Sequence, residues 1–320
     1  MRKLGLMTIA RNEIIKLSFD ASQRLHCDKA SYRQFVLHFI RRLLKSDAPR
    51  GDVTTAHQSV YNQQVDVSIR AKSPTCIAGL AEVRLFLDSQ KIRSVTHFDN
   101  GDWIESGEIL LHLRGPAAQI LLVERTILNI LQRLSGIATL TQQYARQAAR
   151  HGCHVAGTRK TLWGLLDKSA IAWGGGLTHR LGLSDAAMLK DNHLALLQRS
   201  GGLSAIREAV VSIVTNNPRL RFIETEVRTV SEFQAVVQLF RAIDLQVQPI
   251  IMFDHFQPSI ITELTAELRK SDQIPVILTE ASGNISLENL TAYAASGVDV
   301  LSVGALTHSA PSADFTLLVE

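Results

Sequence analysis

At 320 residues, 46% hydrophobic and 20% charged, the chain is long and apolar enough to bury one large core or two medium ones. That composition excludes intrinsic disorder, and with no run of roughly 18 uncharged apolar residues there is no candidate for a membrane-spanning helix. A formal charge of +4 admits anionic small-molecule substrates, but no Lys/Arg cluster of the kind a nucleic-acid surface needs is present. The three cysteines (Cys27, Cys76, Cys153) are odd in number and outside any metal-ligand spacing, as expected in a reducing compartment without disulfides or structural zinc. The N-terminal apolar stretch is broken by Arg11, Asn12 and Glu13, so it does not read as a secretory signal, and a cytoplasmic location is expected.

In chain order, residues 1–30 carry no clear periodicity and read as an extension. From Tyr32 to Lys45 the residues Phe35, Val36, Phe39, Ile40, Leu43 and Leu44 recur at helical spacing, and Pro49 and Gly51 end that helix. Residues 61–114 are strand and hairpin territory: VDVSIRAKS alternates, CIAGL is short and apolar, and Asn100-Gly101 and Ser106-Gly107 supply turns. A long helix is expected from about Pro116 to Arg150, with Ile120, Leu121, Val123, Ile127, Leu128, Ile130 and Leu131 in its core. Beyond His151, short apolar strands alternate with helix-length segments. The expected strands are CHVAG (153–157), AIAW (170–173), AAMLK (186–190), RFIETEV (221–227), PIIMFD (249–254), PVILTEAS (275–282) and VDVLSVG (298–304). Helices are expected over 203–214, 230–241, 257–270 and 286–296. Such alternation implies a parallel sheet with right-handed crossovers, here closed or partly closed into a barrel.

The strand ends concentrate charge. At or just past them stand Arg159 and Lys160, His179 and Arg180, Lys190, Glu226, Asp254, Ser282 and Gly304. In α/β barrels that rim is where the βα loops build the active site. Arg125, Arg159, Lys160, His179, Arg180 and Lys190 brought together would repel one another unless an anion neutralised them, and arginine's fork favours carboxylate or phosphate. A substrate with more than one acidic group follows. Arg125 lies in the long helix and reads equally as a surface partner of Glu124 or Gln132. Glu226 and Asp254 are suited to Mg²⁺, ribose hydroxyls or a developing cation, or to ion pairs with Lys160 and Lys190. The turns ASGN (281–284) and SVGALTHS (302–309) end the last two strands, where barrel phosphate sites cluster. The Gly174-Gly175-Gly176 run is not a dinucleotide fingerprint and reads as a close backbone approach.

Several motifs in order resemble the quinolinate phosphoribosyltransferase family: GDVTT (51–55), ERTILNILQRLSGIATLT (124–141), GTRKT (157–161), GGGLTHRLGLSDAAMLKDNH (174–193), IETEV (223–227), EASGNISLEN (280–289) and GVDVLSVGALTHSAP (297–311). The resemblance implies an N-terminal α/β sandwich domain over 31–136. It also implies an incomplete TIM-like α/β barrel of six or seven parallel strands over 137–320. The implied activity is transfer of phosphoribosyl from phosphoribosyl pyrophosphate to quinolinate, with Mg²⁺, by a homodimer to which Arg125 is contributed across the interface. Matched residue by residue, Arg125, Thr158, Arg159, His179, Arg180 and Lys190 fall on quinolinate-binding positions. Lys160, Glu226 and Asp254 fall around the ribosyl centre, the acids also as direct or indirect Mg²⁺ ligands, and Lys160, Lys190, Glu226 and Asp254 form the catalytic set. Ser282, Gly283, Asn284, Gly304, Ala305 and His308 fall on the 5′-phosphate loop. Four departures stand out: LWGLLDK (162–168) is about two residues shorter than the usual loop, Phe253-Asp254-His255 replaces Leu-Asp-Asn, the segment between Glu226 and Asp254 is longer than usual, and residues 1–30 have no counterpart.

Two other readings are open. One is a divergent paralogue associated with molybdate transport, the other a non-catalytic sugar-phosphate-binding barrel. A third, a biotinyl or lipoyl carrier suggested by DNGDWIESGEILLHLRG (99–115), is excluded because no lysine occurs between Lys91 and Lys160.

Overall fold

The computed structural model describes residues 10–270 and 276–320. In chain order its first elements are α1 (Arg11–Phe19), α2 (Ala30–Asp47), β1 (Gln64–Ala71), β2 (Thr75–Cys76), α3 (Leu80–Ser89), β3 (Arg93–Val95), β4 (Trp103–Ile104), β5 (Ile109–Pro116) and α4 (Ala117–Ala149). They are followed by β6 (His154–Gly157), α5 (Leu165–Trp173), β7 (Ala187–Leu189), α6 (Asp191–Asn216), β8 (Phe222–Val227), α7 (Val230–Arg241) and β9 (Gln248–Asp254). The last are α8 (Pro258–Lys270), β10 (Leu278–Ser282), α9 (Leu290–Ala295), β11 (Val300–Val303), α10 (Ala305–His308) and β12 (Phe315–Val319). α6 is interrupted at Gly201-Gly202, whose backbone is not helical.

The chain forms two compact units, each assembled from three stretches. One takes the N-terminal stretch through Ala21, Tyr144–Arg159 and Leu177–Ala305. It holds a six-stranded parallel sheet in the order β6-β11-β10-β9-β8-β7. Leu177 adds a parallel bridge to Ala156 on the free side of β6, so the strands curve into an incomplete barrel. β8 is buried along its whole length, which suits a parallel sheet covered on both faces. Residues 1–30 contain an element without a sequence signal: α1 inserts Ile15 and Phe19 among Phe222, Leu278 and Val300, the first residues of their strands, and closes the amino end of the barrel. Arg11 fastens the helix there through two bonds to Asp299, at 2.7 and 2.8 Å.

AIAW (170–173) is not a strand. It forms the last turn of α5, a short helix buried almost all round from Leu166 to Ile171. A four-residue apolar run carries no period, so burial alone fits either element, and here the helix wins.

The other unit takes Ser22–Gln143, Lys160–Gly176 and Leu306–Glu320. Its antiparallel sheet runs β12-β1-β5-β3, with the C-terminal strand laid along β1. Gly101 and Gly107 carry the turns beside β4 and β5 with φ of 94° and 88°, conformations open to glycine at little strain. α4 buries Ile120, Val123, Ile127, Leu128, Ile130 and Leu131 on one face. The triple glycine makes the close approach expected of it, because a Cβ at Gly174 would lie 2.4 Å from the Ala138 carbonyl oxygen.

Candidate active site

The six parallel strands of the barrel unit end on one rim, and nearly every end carries a polar residue. Thr158 and Arg159 follow β6, Lys190 follows β7, Glu226 is the penultimate residue of β8, Asp254 and Ser282 end β9 and β10, and Gly304 follows β11.

Two carboxylates on this rim are held by cations. Lys190 Nζ lies 3.2 Å from Glu226 Oε2. Arg228 reaches Glu226 Oε1 at 3.3 Å, Asp254 Oδ2 at 3.2 Å and Asp191 Oδ2 at 3.2 Å. Asp191 and Arg228 were not singled out by sequence reasoning. Their only signal was position, one residue beyond Lys190 and one beyond the IETEV strand. A cleft of about 610 Å³, within the range of small-ligand sites, is lined by Asp191, Glu226 and Arg228 together with apolar and polar side chains of α6 and α7, Glu232 among them.

His179 turns inward. It is buried with φ of 55°, the left-handed region that a non-glycine residue holds only when its surroundings fix it. Its Nε2 lies 2.9 Å from Glu280 Oε2 and 3.4 Å from Glu224 Oε2, while Nδ1 accepts the Arg180 N–H at 2.7 Å. The Ser302 hydroxyl donates to Glu280 Oε1. These three ligand-type side chains lie close enough to hold a metal, with donor atoms within 4.8 Å of one another. However, an imidazole whose Nδ1 accepts a hydrogen bond carries its proton on Nε2 and has no lone pair there for an ion. His179 and Glu280 form a hydrogen-bonded pair with Glu224 beside them, and both ring nitrogens of His179 are engaged within the protein.

Glu224 is the unsatisfied member, fully buried with no hydrogen-bond partner for either oxygen among the described residues. Burial first, and then the neighbouring Glu280 charge, push its pKa up to about 7. Because the folded value lies above the unfolded one, this group's contribution to stability is present below about pH 4.5 and is lost as pH rises through 7. Glu224→Gln removes the titration. Its melting temperature should therefore fall less than that of the wild type between about pH 5 and about pH 8, as differential scanning calorimetry would show.

Arg180 is buried, and among the described residues it has no carboxylate at ion-pair distance. Its Nη1 donates to the Ala186 carbonyl at 3.2 Å, and Nη2 lies 3.5 Å from Met188 Sδ. Burial and then the nearby Arg159 charge lower its pKa, so the two guanidinium groups sense each other. A buried cation facing a second cation is costly without an anion.

At the end of β10, Gly283 and Asn284 have φ of 104° and 51°, and His255 at the end of β9 has φ of 58°. The His255 N–H donates to the Ser282 carbonyl at 3.0 Å, and Asn289 Nδ2 to the Asn284 carbonyl at 2.9 Å. Successive N–H groups in such left-handed turns form anion-binding concavities. A Cβ at Gly283 would lie 2.7 Å from His255 Nδ1, so the turn requires glycine for space as well as for φ. Gly304 and Ala305 are half-buried beyond β11.

The remaining candidates belong to the other unit. Arg125 is exposed on α4. Lys160 is exposed, its carbonyl accepting from Thr307 Oγ1 at 2.7 Å. His308 is exposed at the end of α10, with Nδ1 2.6 Å from Ser309 Oγ.

Fold and rim together define an α/β-barrel enzyme that receives anionic substrates at the carboxyl ends of its strands. The model for the quinolinate phosphoribosyl transferase C-terminal domain matches residues 137–318, and that for the N-terminal domain matches 52–135. A probable carboxylating nicotinate-nucleotide pyrophosphorylase of Archaeoglobus fulgidus is 36% identical over 275 residues, which cover 85% of this chain and 99% of that protein. The carboxylating nicotinate-nucleotide pyrophosphorylase of Mycobacterium leprae is 35% identical, over 87% of this chain and 95% of its own. The nicotinate-nucleotide pyrophosphorylase structure from Francisella tularensis superposes with a TM-score of 0.78 at 27% identity, covering 90% of this chain and 96% of that one. The chain belongs to the quinolinate phosphoribosyltransferase family, a family of phosphoribosyltransferase enzymes. Among the described residues no helix is long and apolar enough to cross a membrane.

Proposed function

We propose that the chain transfers the phosphoribosyl group of phosphoribosyl pyrophosphate to the nitrogen of quinolinate, giving nicotinate mononucleotide, pyrophosphate and CO₂ in NAD biosynthesis. The observation that carries this is Arg180, a buried cation that senses the Arg159 charge and has no carboxylate at ion-pair distance among the described residues, which is a receptor prepared for an anionic group. Arg159, Arg180 and Lys190 grip the two carboxylates, with Thr158 beside them and His179 behind. Arg125 serves the site of the other protomer in a cytoplasmic homodimer. Lys160 belongs to the pyrophosphate side of the ribosyl centre. Ser282, Gly283, Asn284, Gly304, Ala305 and His308 hold the 5′-phosphate.

Glu226 and Asp254 fit Mg²⁺ by donor chemistry, since both offer carboxylate oxygens at adjacent strand ends and their present partners, Lys190 and Arg228, are partly exposed cations. Bound there with the co-substrate, Mg²⁺ would offset charge on the pyrophosphate. The chain's own residues orient the reactants: the carboxylate grip aims the ring nitrogen at the sugar C1. The C1–N bond forms as the C1–oxygen bond to pyrophosphate breaks, and Glu226 and Asp254 stabilise the cationic sugar carbon. The resulting pyridinium accepts the electron pair left when the adjacent carboxylate departs as CO₂, and a proton then replaces it.

The test is product analysis with quinolinate or nicotinate as acceptor, together with phosphoribosyl pyrophosphate and Mg²⁺. Nicotinate mononucleotide and CO₂ are expected from quinolinate alone among the two. CO₂ released without the ribosyl donor would overturn the order of steps. A chain whose melting temperature is moved by neither quinolinate nor phthalate would instead fit the molybdate-associated paralogue.

A further inference from the structure

The turn that presents Arg180 is held from an unexpected side. Thr178, His179 and Arg180 leave the sheet with His179 in a left-handed conformation, and the residues that fix this turn come largely from the N-terminal stretch. The Phe19 ring packs edge-on against the His179 imidazole at 5.2 Å and 77°. The Thr178 hydroxyl accepts the Ala21 N–H at 2.9 Å and lies 3.2 Å from the Phe19 carbonyl oxygen. Arg221 ties the two segments together. Its Nη1 donates to the Ser18 carbonyl at 2.7 Å and Nη2 to the His179 carbonyl at 2.9 Å, while Nε lies 3.3 Å from Asp185. Behind the ring, Glu280 receives Nε2 at 2.9 Å.

This stretch lies outside what the family models match, since they begin at residue 52. The Archaeoglobus relative is matched over 99% of its own length while 85% of this chain is used. A merely stabilising helix would need only its apolar contacts with the barrel core. Here the backbone and an aromatic ring of Ser18–Ala21 engage successive residues of the turn that carries Arg180, a buried cation with no carboxylate at ion-pair distance among the described residues.

We propose that Ser18–Ala21 is a positioning element of the active site, in which Phe19, with Arg221 as its tie, holds the Thr178–Arg180 turn so that Arg180 meets the substrate's carboxylate. The claim rests on quinolinate being the acceptor, and it separates from that reading as follows. Phe19→Leu keeps most of the buried volume but removes the ring edge, and Arg221→Met removes the tie. In both, amide hydrogen exchange at residues 178–180 should speed up, and KM for quinolinate should rise by several-fold to about tenfold, with KM for phosphoribosyl pyrophosphate and kcat near wild type. Folded variants with wild-type exchange at 178–180 and a wild-type quinolinate KM would overturn the proposal. So would a loss spread equally over kcat and both KM values. If Arg221→Met does not fold, Phe19→Leu decides alone. If the wild type does not use quinolinate at all, the functional reading falls, while the exchange measurement still tests the clamp.

Discussion

Arg180→Met should lower kcat/KM for quinolinate by on the order of 10² to 10³ while leaving the melting temperature unchanged or raised. The two halves of this result come from one fact. Arg180 is buried beside Arg159 with no carboxylate at ion-pair distance among the described residues, so the folded protein without substrate bears the desolvation of that charge and its repulsion from Arg159. Methionine keeps the apolar stem and removes both penalties. It forfeits the bonds to the Ala186 carbonyl and the Met188 sulfur and the lesser attraction of the Glu224, Glu280 and Asp185 charges. When substrate binds, the sign reverses. A charge-assisted bond to a carboxylate in a water-poor site is then missing, and losses of 2–5 kcal/mol are usual for truncating one member of such a pair. Steady-state kinetics paired with calorimetry checks both halves. A variant that loses activity and stability in parallel would mark Arg180 as a structural residue instead.

How much of this was legible in the sequence depends on how local the cause is. The strand at Gln248–Asp254 announces itself as an apolar run ending in a single acid and the strand at Phe222–Val227 as FIETEV with Glu226 next to its end, and the structure places Glu226 and Asp254 at the rim. Glycine motifs were equally readable, because Gly283 needs both its φ of 104° and the space taken by His255. The pairing of Lys190 with Glu226 was one of two pairings open for Lys190 and Lys160. Long-range causes were not readable. Nothing in RNEIIKLSF signals that Phe19 meets an imidazole from residue 179, since the helix has little amphipathic contrast and its role depends on chain crossing the amino end of a barrel. The inward turn of His179 was also hidden. A charged residue after a strand suggests the rim, and only the three-dimensional placement of Glu224, Glu280 and Ser302 shows that the ring bonds inward instead. AIAW misled for the opposite reason, being too short for periodicity to separate strand from helix.

The segment LWGLLDK (162–168) carries the second large effect. Asp167, in the first turn of α5, is fully buried and accepts four hydrogen bonds: Arg133 Nε at 2.9 Å and Nη2 at 2.7 Å, and the Leu162 and Trp163 N–H groups at 2.9 and 3.0 Å. Arg133 is itself mostly buried, lies 5.2 Å from the Trp163 ring centroid and donates to the Thr307 carbonyl at 3.1 Å. One carboxylate therefore sets the fold of the loop that follows Lys160 and anchors a cation linked to Thr307, whose hydroxyl in turn holds the Lys160 carbonyl at 2.7 Å. Asp167→Ala leaves a buried guanidinium without a counter-charge and two amides without acceptors. A loss of about 3–5 kcal/mol is expected, a large share of the roughly 5–15 kcal/mol that stabilises a typical domain. At about 2–4 °C per kcal/mol, the melting temperature should drop by roughly 10 °C. Asp167→Asn should recover little, because its amide group must point at one of the donors. The double variant Asp167→Leu with Arg133→Met removes both charges and should regain most of the melting temperature, since replacing a whole buried pair is far less costly than breaking it. Its loop would still lack the carboxylate that fixes Leu162 and Trp163. Thermal stability should thus return while KM for phosphoribosyl pyrophosphate stays raised, and a double variant as unstable as Asp167→Ala would show that the loop's hydrogen bonds outweigh the charge pair.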